Sequence, residues 1–155
     1  MEVIKMLKIT TKGEKEKDLK QQQKRLGKLA KRKGGQYERD IAKKFGERYD
    51  VELKRTPQSG GFSKKSDKAD DFRGDVTIVD NRKELLLHIE CKSQKTLSIP
   101  KWILQAESDC PEGRTPIVVF HQYGTSKDYV CLSVQDFFKL VERDKVVRKR
   151  EFKND

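Results

Sequence analysis

Long apolar runs are missing from this chain. No stretch approaches the ~20 apolar residues of a membrane-spanning helix. The opening MEVIKMLKITTKG has neither the apolar core nor the small-residue cleavage site of a secretory signal. A cytoplasmic setting is the expectation. The Arg73–Asp75 RGD tripeptide is then no adhesion motif, since that role needs secretion. Cysteine is scarce: Cys91, Cys110 and Cys131 are odd in number and share no CxxC or zinc-ligand spacing. Reduced, buried thiols are expected rather than a disulfide framework. The two histidines, His88 and His121, show no partner spacing. Core or surface roles are expected for both, and an HNH or Cys-His nuclease is unsupported. No internal repeat is present.

Charge is what the chain has in quantity, at 39% of residues against 34% hydrophobic, with a net of +11. Residues 1–33 hold 12 Lys/Arg against 4 Asp/Glu, a net of +8, which leaves +3 for the other 122. Such a basic segment without an apolar helix face points to a polyanion, nucleic acid ahead of membrane; a solvated tail is the alternative. Glu14 to Lys33 is rich in helix formers, with sparse apolar residues at Leu19, Leu26, Leu29 and Ala30. This arm is expected to be partly helical or disordered, ordering on contact with DNA through Lys28, Lys31 and Arg32.

Gly34-Gly35 breaks the helical pattern and marks the expected start of the folded domain. Tyr37, Ile41, Phe45 and Tyr49 then recur every four residues, predicting a helix over 36–48. Glu38 sits on the flank of that face, as an exposed helix glutamate or as an acid with a partner or task. Asp50 to Arg55 reads as a short strand. A long polar loop follows from RTPQSGG at 55–61 to Phe72, carrying phosphate-contacting types in Ser59, Lys64, Lys65 and Lys68. Its glycines serve either close backbone approach or simple turns.

The organising stretch is RGDVTIVDNRKELLLHIECK, Arg73 to Lys92. It predicts a hairpin turning at 80–83, with a return strand whose Leu85, Leu87, Ile89 and Cys91 share one face. Glu90 and Lys92, two apart, share the other face. If the runs pair, Asp75 lies beside the end of the return strand, and two carboxylates and an ammonium converge. Such a group can hold a divalent metal and a water against a phosphodiester; a hairpin salt bridge is the plain alternative. Beyond it, Pro100 opens a helix to about Asp109, with Trp102, Ile103 and Ala106 as its core face. Gln105 on that helix reads as solvent-facing or as an auxiliary polar residue. Thr115–His121 is a buried strand pairing with Asp128–Leu132. Ser133 and Asp136 start a helix containing Phe137, Phe138, Leu140 and Val141. Residues past Asp144 are expected to fray, leaving 145–155 as a charged tail. The order of elements reads as α/β, a mixed sheet flanked by helices.

Residues 34 to 124 resemble the PD-(D/E)XK nuclease superfamily, and within it the archaeal-type Holliday junction resolvases and related phage enzymes. The resemblance rests on G-x-x-Glu38-Arg39, on RTPQSGG, on Gly74-Asp75-Val76 and on Ile89-Glu90-Cys91-Lys92. Gly74 stands where the motif has proline, a position read as tolerant. The resemblance implies a restriction-endonuclease-like fold over 34–144 and Mg²⁺ (or Mn²⁺) held by Asp75, Glu90 and the Cys91 backbone carbonyl, joined by Glu38. It implies that Lys92 orients the attacking water and that Arg55 and Ser59 contact DNA near the scissile phosphate. It further implies a homodimeric, metal-dependent endonuclease of branched DNA, with the two-fold contact sought in the trailing helix and the 115–132 strands. The rivals are a PD-(D/E)XK nuclease of restriction, repair or flap type, and a non-catalytic DNA-binding module.

Overall fold

The computed structural model of this chain describes residues 12–57, 74–80, 82–143 and 147–149. It divides into two units, Met1–Lys33 and Gly34–Asp155. In the first, residues 12–33 are helical and their apolar side chains Leu19, Leu26 and Leu29 are exposed. A helix with so few apolar residues rests on local propensity and on pairs such as Lys20–Glu16 at 2.7 Å, worth about 0.3–0.5 kcal/mol.

The helix, α1 (Lys12–Tyr49), does not stop at Gly34-Gly35 as the sequence suggests. Gly35 is buried, and a Cβ there would lie 3.4 Å from Arg55 Cζ and Nε. The glycine thus makes room for a guanidinium rather than ending the helix. Two glycines cost roughly 1 kcal/mol each relative to alanine, and the helix formers on either side absorb that cost.

The second unit continues with β1 (Leu53–Arg55), β2 (Val76–Ile78), β3 (Lys83–Leu85), β4 (Leu87–Lys92), α2 (Ile99–Asp109), β5 (Thr115–His121), β6 (Asp128–Cys131), α3 (Val134–Glu142) and β7 (Val147–Lys149). β4 runs parallel to β5, with Lys92 opposite Phe120, and β5 runs antiparallel to β6. Strand alternation assigns the two faces. Leu87, Ile89, Cys91, Ile117 and Val119 pack with Ile41 and Ala42 of α1. On the opposite face Val118 and Phe120 pack with Trp102 and Ala106 of α2. The expected mixed sheet between helices is therefore present.

Two expectations about strands change. The hairpin's first strand, β2, makes its ladder with β1, Arg55 opposite Val76, and not with the return strand. The return strand itself is interrupted at Leu86, whose carbonyl accepts from Thr115 N–H at 2.9 Å and from Arg143 Nη1 at 3.2 Å. Upstream of that break, β3 pairs with β7, so residues 147–149, expected to fray, instead form a strand opposite 83–85. The β3 edge offers backbone partners that outweigh the charged character of the tail. The turn at 80–83 forms as expected, with Lys83 N–H on Asp80 O at 3.0 Å; Asn81 lies outside the described residues.

A polar knot fixes α1 against β5 and β6. Asp128 accepts from the Tyr37 hydroxyl at 3.2 Å, contacts His121 Nδ1 at 3.1 Å and pairs with Lys44. Burial alone would push the Asp128 carboxyl up. The Lys44 and His121 hydrogen bonds, the Lys44 charge and the Tyr37 hydroxyl outweigh it and hold the carboxyl below its usual range. Burial and the Asp128 charge push the Tyr37 phenol well above its usual range. A depressed carboxyl stabilises the fold above its unfolded pKa, and that stabilisation is lost as pH falls through the folded pKa. Asp128→Asn should therefore cost about 1–2 kcal/mol at pH 7. The gap to wild type should narrow below about pH 4, as read by urea denaturation across pH.

Candidate active site

Asp75 is held at the margin of the sheet by its own backbone. Its N–H donates to Ile89 O at 2.8 Å, and its carbonyl accepts from Thr56 N–H at 2.9 Å. The residue thus bridges the end of β1 to β4. Gly74 makes the approach possible. It has φ +85°, and a Cβ there would sit 3.0 Å from Ile89 O and 3.1 Å from His88 Nδ1. Proline, fixed near φ −65°, cannot adopt that backbone. The glycine that reads as a tolerated exchange in the sequence is here required by the close crossing of the two strands.

With its backbone so placed, Asp75 turns its carboxylate onto the β4 edge, where Oδ2 accepts from Cys91 N–H at 2.8 Å. Ile89 O and Cys91 N–H both point to this side of the strand. N–H and C=O of one strand residue face the same neighbour, so the Cys91 carbonyl faces the Asp75 side as well. The Cys91 side chain packs in the core with Ile41 and Ile89, which leaves only its backbone for the site. Burial, followed by the Asp75, Glu38 and Glu90 carboxylates and opposed by Lys92, raises the Cys91 thiol well above its usual range. One sulfur thus lies close to Glu38, Asp75, Glu90 and Lys92 together.

On the α2 face the charged residues form a closed triangle. Lys92 Nζ donates to Glu90 Oε1 at 2.6 Å and to Gln105 Oε1 at 3.0 Å, while Gln105 Nε2 donates to Glu90 Oε1 at 3.0 Å. The Lys92 and Glu90 side chains are only 13% and 9% exposed. Gln105, which the sequence leaves as solvent-facing or as an auxiliary polar residue, is exposed and bonded to both Glu90 and Lys92. Its signal was its place three residues after Trp102 and one before Ala106, on the flank of the buried helix stripe. A lysine ammonium carries three N–H donors; two are engaged here, which leaves one for a water or a phosphate oxygen.

Glu38 approaches from α1, where its carboxylate is paired with Arg55. Arg55 also lines a groove of about 500 Å³ between α1 and β1, with Arg39, Lys43 and Lys54 among its other walls. Lys28, Lys31 and Arg32 are exposed on the helical arm. Ser59, Lys64 and Lys65 lie outside the described residues. Among the described residues no group of three or more His, Cys, Asp and Glu is arranged to hold a metal ion. Glu38 is turned to Arg55 and Glu90 to Lys92 instead. The donor chemistry nevertheless fits a hard divalent cation that keeps most of its waters: two carboxylates, Asp75 and Glu90, each 7% exposed, beside a backbone carbonyl.

His88 is buried, and His121 is taken up by Asp128. No helix among the described residues is long and apolar enough to cross a membrane. No curated protein and no solved structure matches the chain. One family model does, described as "Phage putative PDDEXK endonuclease", over residues 29–155. That span holds Glu38 on α1, Asp75 just before β2 and Glu90-Cys91-Lys92 on β4, and the chain belongs to this family of PD-(D/E)XK endonucleases.

Proposed function

We propose that the protein is a Mg²⁺-dependent DNA endonuclease acting as a homodimer, with four-way junctions as its substrate. The observation that carries the reading is the Asp75 carboxylate on the Cys91 N–H, which sets it beside the Glu90-x-Lys92 triangle. The superfamily typically uses divalent metals, and Asp75, Glu90 and the Cys91 carbonyl are the groups suited to hold one, with Glu38 reaching it through water. When bound, such a cation supplies Lewis-acid stabilisation of charge growing on the phosphate.

The chain's own residues supply the rest. Lys92, steadied by Glu90 and Gln105, presents its remaining N–H to the attacking water and to the developing charge. Both of its anchors are preorganised, so its position costs nothing at the moment of reaction. Arg55, with Ser59, Lys64 and Lys65, meets the phosphates beside the cut, and the α1–β1 groove offers further cations along the strand. Lys28, Lys31 and Arg32 add phosphate contacts from the arm. Paired incisions on symmetric strands require two similarly disposed sites, which is the reason for a dimer.

A synthetic four-way junction incubated with and without Mg²⁺, its products sized on a gel, tests the reading. Junction cutting only with Mg²⁺, in preference to flap, nicked and linear DNA, is the expected result. Binding without Mg²⁺-dependent cutting of any of them would overturn it. Asp75→Asn and Lys92→Ala should each lower the cleavage rate by about 10²–10³ while binding stays intact; retained turnover in both would remove the mechanism. Gln105→Ala should slow single-turnover cutting about tenfold and shift its pH profile, with Kd and Tm unchanged. Removing residues 1–33 should weaken binding and flatten its salt dependence, by about 0.9 in log–log slope for each phosphate the arm neutralises. An unaltered slope would mean that the arm does not touch phosphates.

A further inference from the structure

The α2 face of the sheet carries a row of aromatic side chains that the proposed chemistry leaves unused. Register places Lys92 of β4, Phe120 of β5 and Tyr129 of β6 side by side across the three strands. Alternation puts them on one face, where Lys92 meets Gln105 and Phe120 packs with Trp102. Trp102 and Phe120 are buried, their ring centroids 5.9 Å apart. Tyr129 stacks on Phe120 at 5.6 Å with 22° between the ring planes, yet the residue is 39% exposed. The row thus ends in a ring that has one face on a fixed aromatic floor and the other open to solvent. Packing on Phe120 uses only the inner face, and a β-branched residue would meet that need on an edge strand.

The surroundings of the ring indicate what its outer face takes. β6 lies two strand spacings from β4, about 10 Å across the sheet. A DNA strand with its scissile phosphate at Lys92 covers that distance in about two or three nucleotides, at about 3.4 Å or more a step. Lys101 is exposed four residues before Gln105, so it shares the flank of α2 that faces Lys92. Lys127 is exposed two residues before Tyr129. Cations near an open ring match a phosphate chain with a base laid flat on that ring, and an apolar protein partner would need neither lysine. A base inside a duplex has its faces covered by its neighbours. Only an unstacked base can lie on Tyr129, the mode in which aromatic side chains hold single strands.

We infer that Tyr129, floored by Phe120, is a stacking platform for one unpaired nucleobase about two or three nucleotides from the cut. The platform rests on the nuclease reading above for its place on the strand. It adds a feature the substrate must have, a base freed from the duplex close to the scissile phosphate.

Binding of the full chain to fluorescein-labelled DNA, read by anisotropy in EDTA so that nothing is cut, tests the platform. The probes are an oligothymidylate, an abasic strand of the same length and a blunt duplex. Wild type should bind the abasic strand about tenfold more weakly than the oligothymidylate; equal binding overturns the platform without recourse to any variant. Tyr129→Phe keeps the ring and should bind all three probes as wild type does. Tyr129→Thr keeps a strand-forming residue and should lose about tenfold on the oligothymidylate alone. On the abasic strand it should match wild type, because no base is left to stack. No loss on the oligothymidylate, or an equal loss on all three probes, would overturn the platform. Junction cutting separates the two readings. Base-dependent binding through Tyr129 with no Mg²⁺-dependent cutting keeps the platform and sinks the nuclease reading. Junction cutting by a Tyr129→Thr variant that binds and cuts as wild type does sinks the platform alone.

Discussion

Two backbone hydrogen bonds and one side-chain bond, all made by Asp75, hold the site in place. Its N–H on Ile89 O and its carbonyl on Thr56 N–H lock the residue between two strands that share no ladder. The direction of its carboxylate then follows, onto the Cys91 N–H. An acid placed this way is set by main-chain geometry and does not depend on a flexible side chain finding a partner. The crossing is close enough that only glycine is accommodated at position 74, so one residue without a side chain fixes where its charged neighbour can stand.

The charged groups around that acid are mutually satisfied, which is how so many of them tolerate burial. Glu90, Lys92 and Gln105 close on one another, and Glu38 pairs with Arg55. Desolvated carboxylates left alone would be costly; each here has a cation or a donor. The same pairing keeps the carboxylates from gathering into a three-acid cage among the described residues.

The two helices flanking the sheet divide the work. α1 brings Glu38 and is pinned by the Asp128 knot through Tyr37 and Lys44, so its register over Cys91 is fixed from outside the site. α2 brings Gln105 and buries Trp102 and Ala106 beneath it. α3 serves neither purpose: it buries an aspartate and turns its phenylalanines outward.

Periodicity in the sequence was enough to find β4, β5, β6, α2 and α3 and the inward face of α1, because alternation and 3.6-residue spacing record which side of an element avoids water. It also picked out Asp75, Glu90 and Lys92, since charge at the end of an aliphatic strand is rare without a use. It could not assign partners. That β2 ladders with β1, that β3 takes β7, and that Gln105 turns onto Glu90 and Lys92 depend on residues distant in the chain coming within bonding range. The glycines misled for the same reason: Gly35 looks like a helix stop until the Arg55 guanidinium is seen against it, and Gly74 looks optional until Ile89 O lies 3.0 Å from where its Cβ would be. Linear order thus records which face of an element is apolar and which chemistry it carries, although α3 shows that an apolar face need not be the buried one. Which residues meet is a property of the folded chain, because hydrogen bonds and close crossings act over a few ångströms and leave no mark on spacing between residues.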